Sequence, residues 1–292
     1  MYLMFDVIGF GALNLDRLFY VKKIAFPGEH EPVVDLLESP GGSAANTIAW
    51  LADAGFSTGF IGAVGTDSEG CIMLDDFRRR GVGLSHVKVV GGRSGVITGF
   101  VDSKGERTLY PYPGANDRLF LDKKTVSYAG SARFLHLTSF VGEKQLKEQK
   151  RLIGEIGCKV KLSFSPGDLY AKKGLKNLKP IVERSFVVFL NRREMLDLTG
   201  MDYRRGSDAL NLLGARIVVV TLGGRGCYVS TLKERFTAPC RRLKPVDTTG
   251  AGDSFAAGFL AGLMRGKTLV ECARMGNKNA GKCILCLGAR MK

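Results

Sequence analysis

The sequence predicts an α/β fold, a mostly parallel central sheet with helices on both faces and a small β-sheet lid. Two observations predict it. Short β-rich runs alternate with helical stretches over most of the chain, and two segments interrupt that alternation with strands joined by turns. Strands are expected at Val7 to Phe10, Thr58 to Val64, Arg133 to Leu137, Val160 to Phe164, Phe186 to Leu190 and Ile217 to Leu222. Helices are expected between them, at Ala44 to Ala54, Ser68 to Arg80, Glu143 to Ile156, Gly174 to Arg184 and Arg192 to Leu198, with a closing pair at Gly252 to Met264 and Leu269 to Leu287. The interrupting segments are Leu18 to Leu37 and Val87 to Tyr112. In the second, Gly95 to Val101, the turn Asp102 to Gly105 and Arg107 to Tyr110 read as strand, turn and strand. A small sheet projecting from the edge of such a core would act as a lid over a cleft at the ends of the parallel strands. With no internal repeat, low-complexity tract or linker, residues 1–292 read as one domain carrying that lid.

Composition narrows the function classes. Apolar residues make up 45% and charged residues 24% of the 292, as in soluble globular proteins. No apolar run approaches the roughly 20 residues of a spanning helix, so no membrane partner is expected. Met1 to Phe10 lacks a basic leader and carries Asp6, which reads as a first buried strand and makes a cytoplasmic location the default. Seven scattered cysteines, an odd number, read as reduced thiols; Cys283 and Cys286 lie in an apolar helical stretch and read as packing rather than zinc ligands. The net charge of +15 reads as a solvated basic surface that attracts anionic ligands such as nucleotides and sugar phosphates, and no nucleic-acid motif accompanies it.

The most informative stretch is Asp247-Thr248-Thr249-Gly250-Ala251-Gly252-Asp253-Ser254-Phe255, which runs into an apolar helix. Small residues at Gly250, Ala251 and Gly252 leave the amides of a helix start open, and the helix dipole adds positive potential, so this is an anion pocket suited to a transferring phosphoryl group. Asp253, in the first turn beside it, is placed to take a proton from an attacking hydroxyl. Taken singly, Asp253 would be an ordinary helix-start carboxylate; three small residues between two acidic ones are harder to explain by capping.

This stretch resembles the second signature of the ribokinase-like (PfkB) family of carbohydrate and nucleoside kinases. Gly41-Gly42-Ser43-Ala44-Ala45-Asn46, opening a helix, is similar to the family's first signature, and Asn14 and Asp16 match its N-x-D pair. The resemblance implies that Asn14, Asp16, Gly41, Gly42 and Asn46 bind the substrate with Asp253. Paired glycines allow a polyol to approach the backbone, and Asn and Asp side chains serve vicinal hydroxyls; a strand-to-helix turn and an Asx turn would use the same residues. Asn191-Arg192-Arg193-Glu194 resembles the N-x-x-E element that organises Mg²⁺ and phosphate largely through water, although the spacing is also that of a capping box. Thr221-Leu222-Gly223-Gly224-Arg225-Gly226 matches the T-x-G-x-x-G loop at the nucleotide, although a β-hairpin would use such glycines too, and Asn277 aligns with the asparagine near adenine.

Over Val7 to Ala289 the resemblance implies in-line transfer from ATP or ADP, with Mg²⁺, to a hydroxyl of a sugar or nucleoside. The chain departs from the pattern at Ser165, where many members have Asp. A family-type monovalent cation site would lie near Asp247, Thr249 and the final loop, and only three residues follow Ala289 where relatives often continue. A sugar phosphate such as ribose 1-phosphate is the alternative acceptor, facing Arg93, Lys104, Arg107 and Arg118; a nucleoside base would stack on Phe100, Tyr110 or Tyr112. Other classes fare worse. The Walker lysine motif is absent, and Gly9 and Gly11 alone are a poor dinucleotide fingerprint. His30, His86 and His136 are far apart, and a binding-only sensor would not need Asp253 beside its glycines. An exposed lid edge is a place for a second copy to pair, giving a homodimer.

Overall fold

The computed structural model describes residues 4–103 and 105–290. Lys104, one of the lid cations singled out above, lies outside the described residues. In chain order the strands and helices are β1 (Phe5–Phe10), β2 (Asn14–Val21), β3 (Val33–Gly41), α1 (Ser43–Asp53), β4 (Thr58–Val64), α2 (Ser68–Arg79), β5 (Gly83–Val89), β6 (Gly95–Val101), β7 (Arg107–Tyr112), α3 (Lys123–Ala129), β8 (Ala132–Thr138) and α4 (Glu143–Glu155). They continue with β9 (Lys161–Ser165), α5 (Gly167–Ala171), α6 (Gly174–Arg184), β10 (Ser185–Asn191), α7 (Arg192–Thr199), α8 (Tyr203–Leu213), β11 (Ile217–Thr221), β12 (Cys227–Ser230), β13 (Arg235–Ala238), α9 (Ala251–Met264) and α10 (Leu269–Cys283).

The main sheet has nine strands in the order β13-β12-β11-β10-β9-β8-β1-β4-β5. Strands from β11 to β5 pair in parallel, and β12 and β13 add an antiparallel edge. Burial on both faces explains why these strands read as apolar runs: β4 is buried at every position. Alternate residues still serve different cores. Ile8, Phe10, Leu135 and Leu137 pack with the side chains of α4, α6 and α7, while Val7 and Phe134 pack with α1, α2, α9 and α10. Gly9 belongs to that second face, where a Cβ would meet Ile48 at 2.5 Å and Phe60 at 2.9 Å, so it seats α1 against the sheet rather than framing a dinucleotide.

The second sheet, in the order β3-β2-β6-β7, is the lid. It begins at Asn14 and runs to Gly41, further in both directions than the Leu18 to Leu37 expected from sequence. Val87 to Val89, assigned to the second lid segment above, instead extend β5 in parallel with β4 at the edge of the main sheet. Their pairing partner lies some 25 residues away, so local turn signals could not reveal it. The last helix ends at Cys283, not Leu287, and the chain turns there to bring Gly288 to Arg290 back into the core. Helices α3 and α8 and the β12–β13 edge complete the layers where the sequence reading placed no element. No helix among the described residues is long and apolar enough to cross a membrane.

Candidate active site

Three cavities run end to end across the ends of the parallel strands, and the 250–253 segment stands between them. A cavity of about 230 Å³ lies between core and lid and includes Asn14, Asp16, Asn46, Arg107, Gly250 and Asp253; it is called the acceptor cavity after the substrate-binding residues expected in it. A chamber of about 280 Å³ adjoins it through Ser43, Arg107, Gly250 and Asp253, and adds Ser165, Asn191 and Glu194. A groove of about 330 Å³ continues from the chamber through Thr221, Thr248, Ala251, Gly252 and Phe255 and reaches Gly223, Gly226 and Asn277.

The start of α9 is free of capping side chains. Gly250 caps α9 in the left-handed region (φ 73°), no side chain caps it, and a Cβ there would collide with Ala289. A Cβ at Gly252 would meet nothing within 4 Å, so this position faces open space. Beside it Asp253 accepts hydrogen bonds from Ser43 Oγ at 2.6 Å and Asn46 Nδ2 at 2.8 Å, both on α1. Burial raises its pKa from 3.8 to about 6, against the opposing effect of these two donors and of Arg290. The carboxylate is thus ionised at neutral pH yet basic enough to accept a proton.

Pairing of β2 with β3 and β6 assembles the acceptor end: Asn14 lies opposite Gly41 on one side and Gly95 on the other. Asp16 is 9% exposed, and its Oδ1 has no hydrogen-bond partner. Burial pushes its pKa up to about 7, with Asp253 adding to the rise and Arg290 and Arg107 opposing it. A buried acceptor without a donor, lining a cavity, is suited to a ligand hydroxyl. A Cβ at Gly41 would collide with the Asp16 carboxylate, and Gly42 enters α1 at φ 98°, so the paired glycines let β3, Asp16 and α1 converge.

At the far end Asn191 and Glu194 form a reciprocal capping box on α7, the side-chain oxygens accepting from each other's backbone amides at 2.8 and 2.9 Å. Both readings of that spacing therefore meet in one structure, because Asn191 and Glu194 also line the chamber. Burial, with Asp168 and Asp253 nearby, raises the Glu194 pKa to about 7. Hard carboxylate oxygen in an environment already too negative fits a divalent cation such as Mg²⁺. The glycine loop Gly223–Arg225 joins β11 to the antiparallel β12, so it is a hairpin that lines the groove. Asn277 also lines it, while its Nδ2 donates to the Ala238 and Pro239 carbonyls at 3.1 and 3.3 Å. Asp247, expected to flank a cation, accepts from Thr249 N and Oγ1 and from Gly288 N.

The lid residues separate. Arg107 lines the acceptor cavity and the chamber and donates to Thr249 Oγ1 at 3.0 Å, tying the lid to the core; Arg93 lines a different hollow, and Arg118 donates to the Arg93 carbonyl. Tyr112 lines the acceptor cavity, whereas Phe100 stacks on Phe19 within the lid. Sequence reasoning missed Ser43 as a partner of Asp253, Asn116, which donates to Asn14 Oδ1 at 3.0 Å, and Arg290. Ser43 stood inside a motif already marked, but Asn116 lies in a short 3₁₀ turn (Gly114–Arg118) that carries no motif.

The chain is similar to known proteins over nearly its whole length. Residues 4–292 match the model of the pfkB family carbohydrate kinases. The chain is 41% identical to an uncharacterized sugar kinase of Archaeoglobus fulgidus, over 82% of this chain and 96% of that one. It is 30% identical to a cytidine kinase of Thermococcus kodakarensis, over 95% of each chain, and 32% identical to an ATP-dependent ribose-1-phosphate kinase of Halopiger xanaduensis, over 88% and 84%. In fold it superposes on ribokinase from Thermotoga maritima with a TM-score of 0.86 at 22% identity, covering 98% of this chain and 94% of that one.

Proposed function

Because this chain belongs to the pfkB family of carbohydrate kinases, a sugar or nucleoside kinase acting on an alcohol acceptor, we propose that Asp253 is its catalytic base and the 250–253 amides its anion hole. The observation that carries this reading is that one helix start borders the acceptor cavity, the chamber and the groove, with Asp253 on the acceptor side and Gly252 on the donor side. The acceptor hydroxyl binds among Asn14, Asp16, Asn46 and Asp253, against Gly41 and Gly42, and loses its proton to Asp253 as the phosphoryl group arrives in line. The amides of Gly250 and Gly252 stabilise the charge on that group, beside Ala251, whose own amide is turned to the Thr248 carbonyl at 3.3 Å.

ATP, with ADP as the second choice, lies along the groove with Thr221, Gly223, Gly226 and Asn277. Mg²⁺ is held by Asn191 and Glu194 through water, and when bound it screens the charge of the donor phosphates. The acceptor is a free sugar or nucleoside: the cavity walls toward the lid are apolar, formed by Ile97, Leu109, Pro111, Tyr112 and Phe140. A sugar phosphate is the second reading, favoured by Arg107, the cation among the residues lining the acceptor cavity. Seven free cysteines fit a cytoplasmic enzyme. Val34, 67% exposed on lid edge strand β3, marks where a second copy would pair.

A coupled assay of purified protein with Mg²⁺ and either ATP or ADP, across ribose, fructose, adenosine, cytidine, guanosine and ribose 1-phosphate, tests the assignment. Turnover of at least one acceptor that is lost in Asp253→Asn is expected. Undiminished turnover in that variant would remove Asp253 as the base.

A further inference from the structure

Arg290 lies beyond the last helix and lines neither the acceptor cavity nor the chamber, yet its side chain is only 6% exposed and every edge of its guanidinium is used. Nε donates to Asn46 Oδ1 at 2.9 Å, Nη2 donates to the Gly41 carbonyl at 3.0 Å, and Nη1 pairs with Asp76 of α2. The group also stacks 5.4 Å from the centre of the Phe77 ring. Trp50 Nε1 donates to the neighbouring Ala289 carbonyl at 2.9 Å, so α1 anchors the loop that carries this arginine.

We infer that Arg290 is a positioning residue for phosphoryl transfer, holding the Asn46 amide by its oxygen so that its nitrogen faces Asp253, and holding the Gly41 carbonyl in the substrate loop. The inference rests on the assignment of Asp253 as the base. An amide has one acceptor end and one donor end. With Oδ1 engaged by a permanent cation, Asn46 has only Nδ2–H to offer the carboxylate, and it does so at 2.8 Å. A planar guanidinium is suited to this, since its donors are fixed relative to one another; a lysine in its place would supply the charge without the fork. Asp76, 6% exposed, keeps the guanidinium in place from behind, so the contacts form a line from α2 through the final loop to α1 and on to α9.

Charge follows the same line. Asp253 faces Arg290 from the final loop, Asp16 from β2, Glu194 from α7 and the Cys283 thiol from α10. Arg290 in turn faces Asp76 of α2, Arg80 just past its end and Asp16 of β2. Arg107 of β7 shares the acceptor cavity and the chamber with Asp253, and Arg290 is the cation whose charge favours the ionised Asp253 carboxylate. Removing it raises the pKa of Asp253, so the acidic limb of the rate profile moves to higher pH.

The test compares Arg290→Gln, Arg290→Lys, the double variant Asp76→Asn/Arg290→Gln and Asp253→Asn. The double variant removes the buried Asp76–Arg290 pair as a unit and leaves Arg80 paired with Asp53, so that no buried charge loses its last partner. Thermal melts establish that each is folded; kcat and KM are measured from pH 5.5 to 9 with ATP, Mg²⁺ and the panel acceptor turned over fastest, and the Asp253 carboxyl is titrated by ¹³C NMR. Arg290→Gln and the folded double variant are expected to lose kcat by roughly 10- to 100-fold, as for a reacting group displaced by about 1 Å. Their acidic limb and the Asp253 titration should move up by about one pH unit, and Arg290→Lys should restore the limb more fully than kcat. Wild-type kcat and an unmoved limb in the double variant would reduce Arg290 to a counter-charge for Asp76 and overturn the inference. If Asp253→Asn keeps wild-type kcat, the base assignment falls and this inference with it; if Asp253→Asn is inactive while Arg290→Gln is unchanged, the inference alone falls.

Discussion

The donor groove and the acceptor cavity meet at the start of α9, but they are built from different material. On the donor side the lining is small and apolar: the glycines of the Gly223–Gly226 hairpin, Ala251 and Gly252, set against Leu243, Pro245, Phe255 and Ile284. On the acceptor side it is buried side chains contributed by strands and helices far apart in the chain, with Asn46 and Asp253 bonded across more than 200 residues. Both carboxylates there, Asp16 and Asp253, are pushed up in pKa by burial. A phosphate chain is much the same in every nucleotide, and main-chain amides suffice to hold it. Recognising one alcohol among many requires donors and acceptors at chosen points, which only side chains supply.

That contrast can be broken at four points. The largest effect is expected for Asp253→Asn, which should cut kcat by about 10²- to 10⁴-fold while leaving the affinity for ATP unchanged by isothermal titration. Gly252→Val places a branched side chain where the phosphoryl group passes, and a loss of roughly 10²- to 10³-fold in kcat is expected with the melting temperature nearly intact, because the position faces open space. A wild-type rate for that variant would move the anion hole elsewhere.

Asp16→Asn sharpens the acceptor side. Loss of a charged acceptor should raise the acceptor KM by about 10- to 100-fold, with little change in the KM for ATP. Its effect on stability runs the other way. The folded pKa of about 7 exceeds the ordinary 3.8, so the folded state retains a proton that the unfolded chain releases. Wild-type stability relative to the variant therefore declines as pH rises from about 4 to 7 and stays level above that, a trend that melts across this range would detect. The smallest effect is expected for Asn277→Ala. Its amide makes two bonds to the Ala238 and Pro239 carbonyls, and their loss should raise the KM for ATP by about 5-fold, leaving the acceptor KM alone.

Much of the donor side was legible in the sequence, because a glycine-rich helix start or hairpin is a local feature whose chemistry follows from neighbouring residues. Asp253 was legible for the same reason, standing in the first turn of that helix start. The acceptor side was legible where a motif marked it, at Asn14, Asp16 and Gly41 to Asn46. It was silent at Asn116 and Arg290, single polar residues whose partners lie 102 and 244 positions away. Lid side chains were ambiguous in a further way. Arg93, Arg107 and Arg118 look alike in sequence, and only the folded lid puts Arg107 of β7, paired with Val101 of β6, in the cavity and Arg93, in the loop before β6, outside it.

By itself the sequence determined the alternation of strands and helices, the apolar runs of a sheet buried on both faces, and the small residues at the start of α9, all properties of a few consecutive residues. Only the tertiary structure decided which carboxylates are buried beside one another, how far their proton affinities rise, and that an arginine beyond the last helix reaches back to the first. Those depend on how distant segments share a low-dielectric interior, and no local pattern encodes the distance between them.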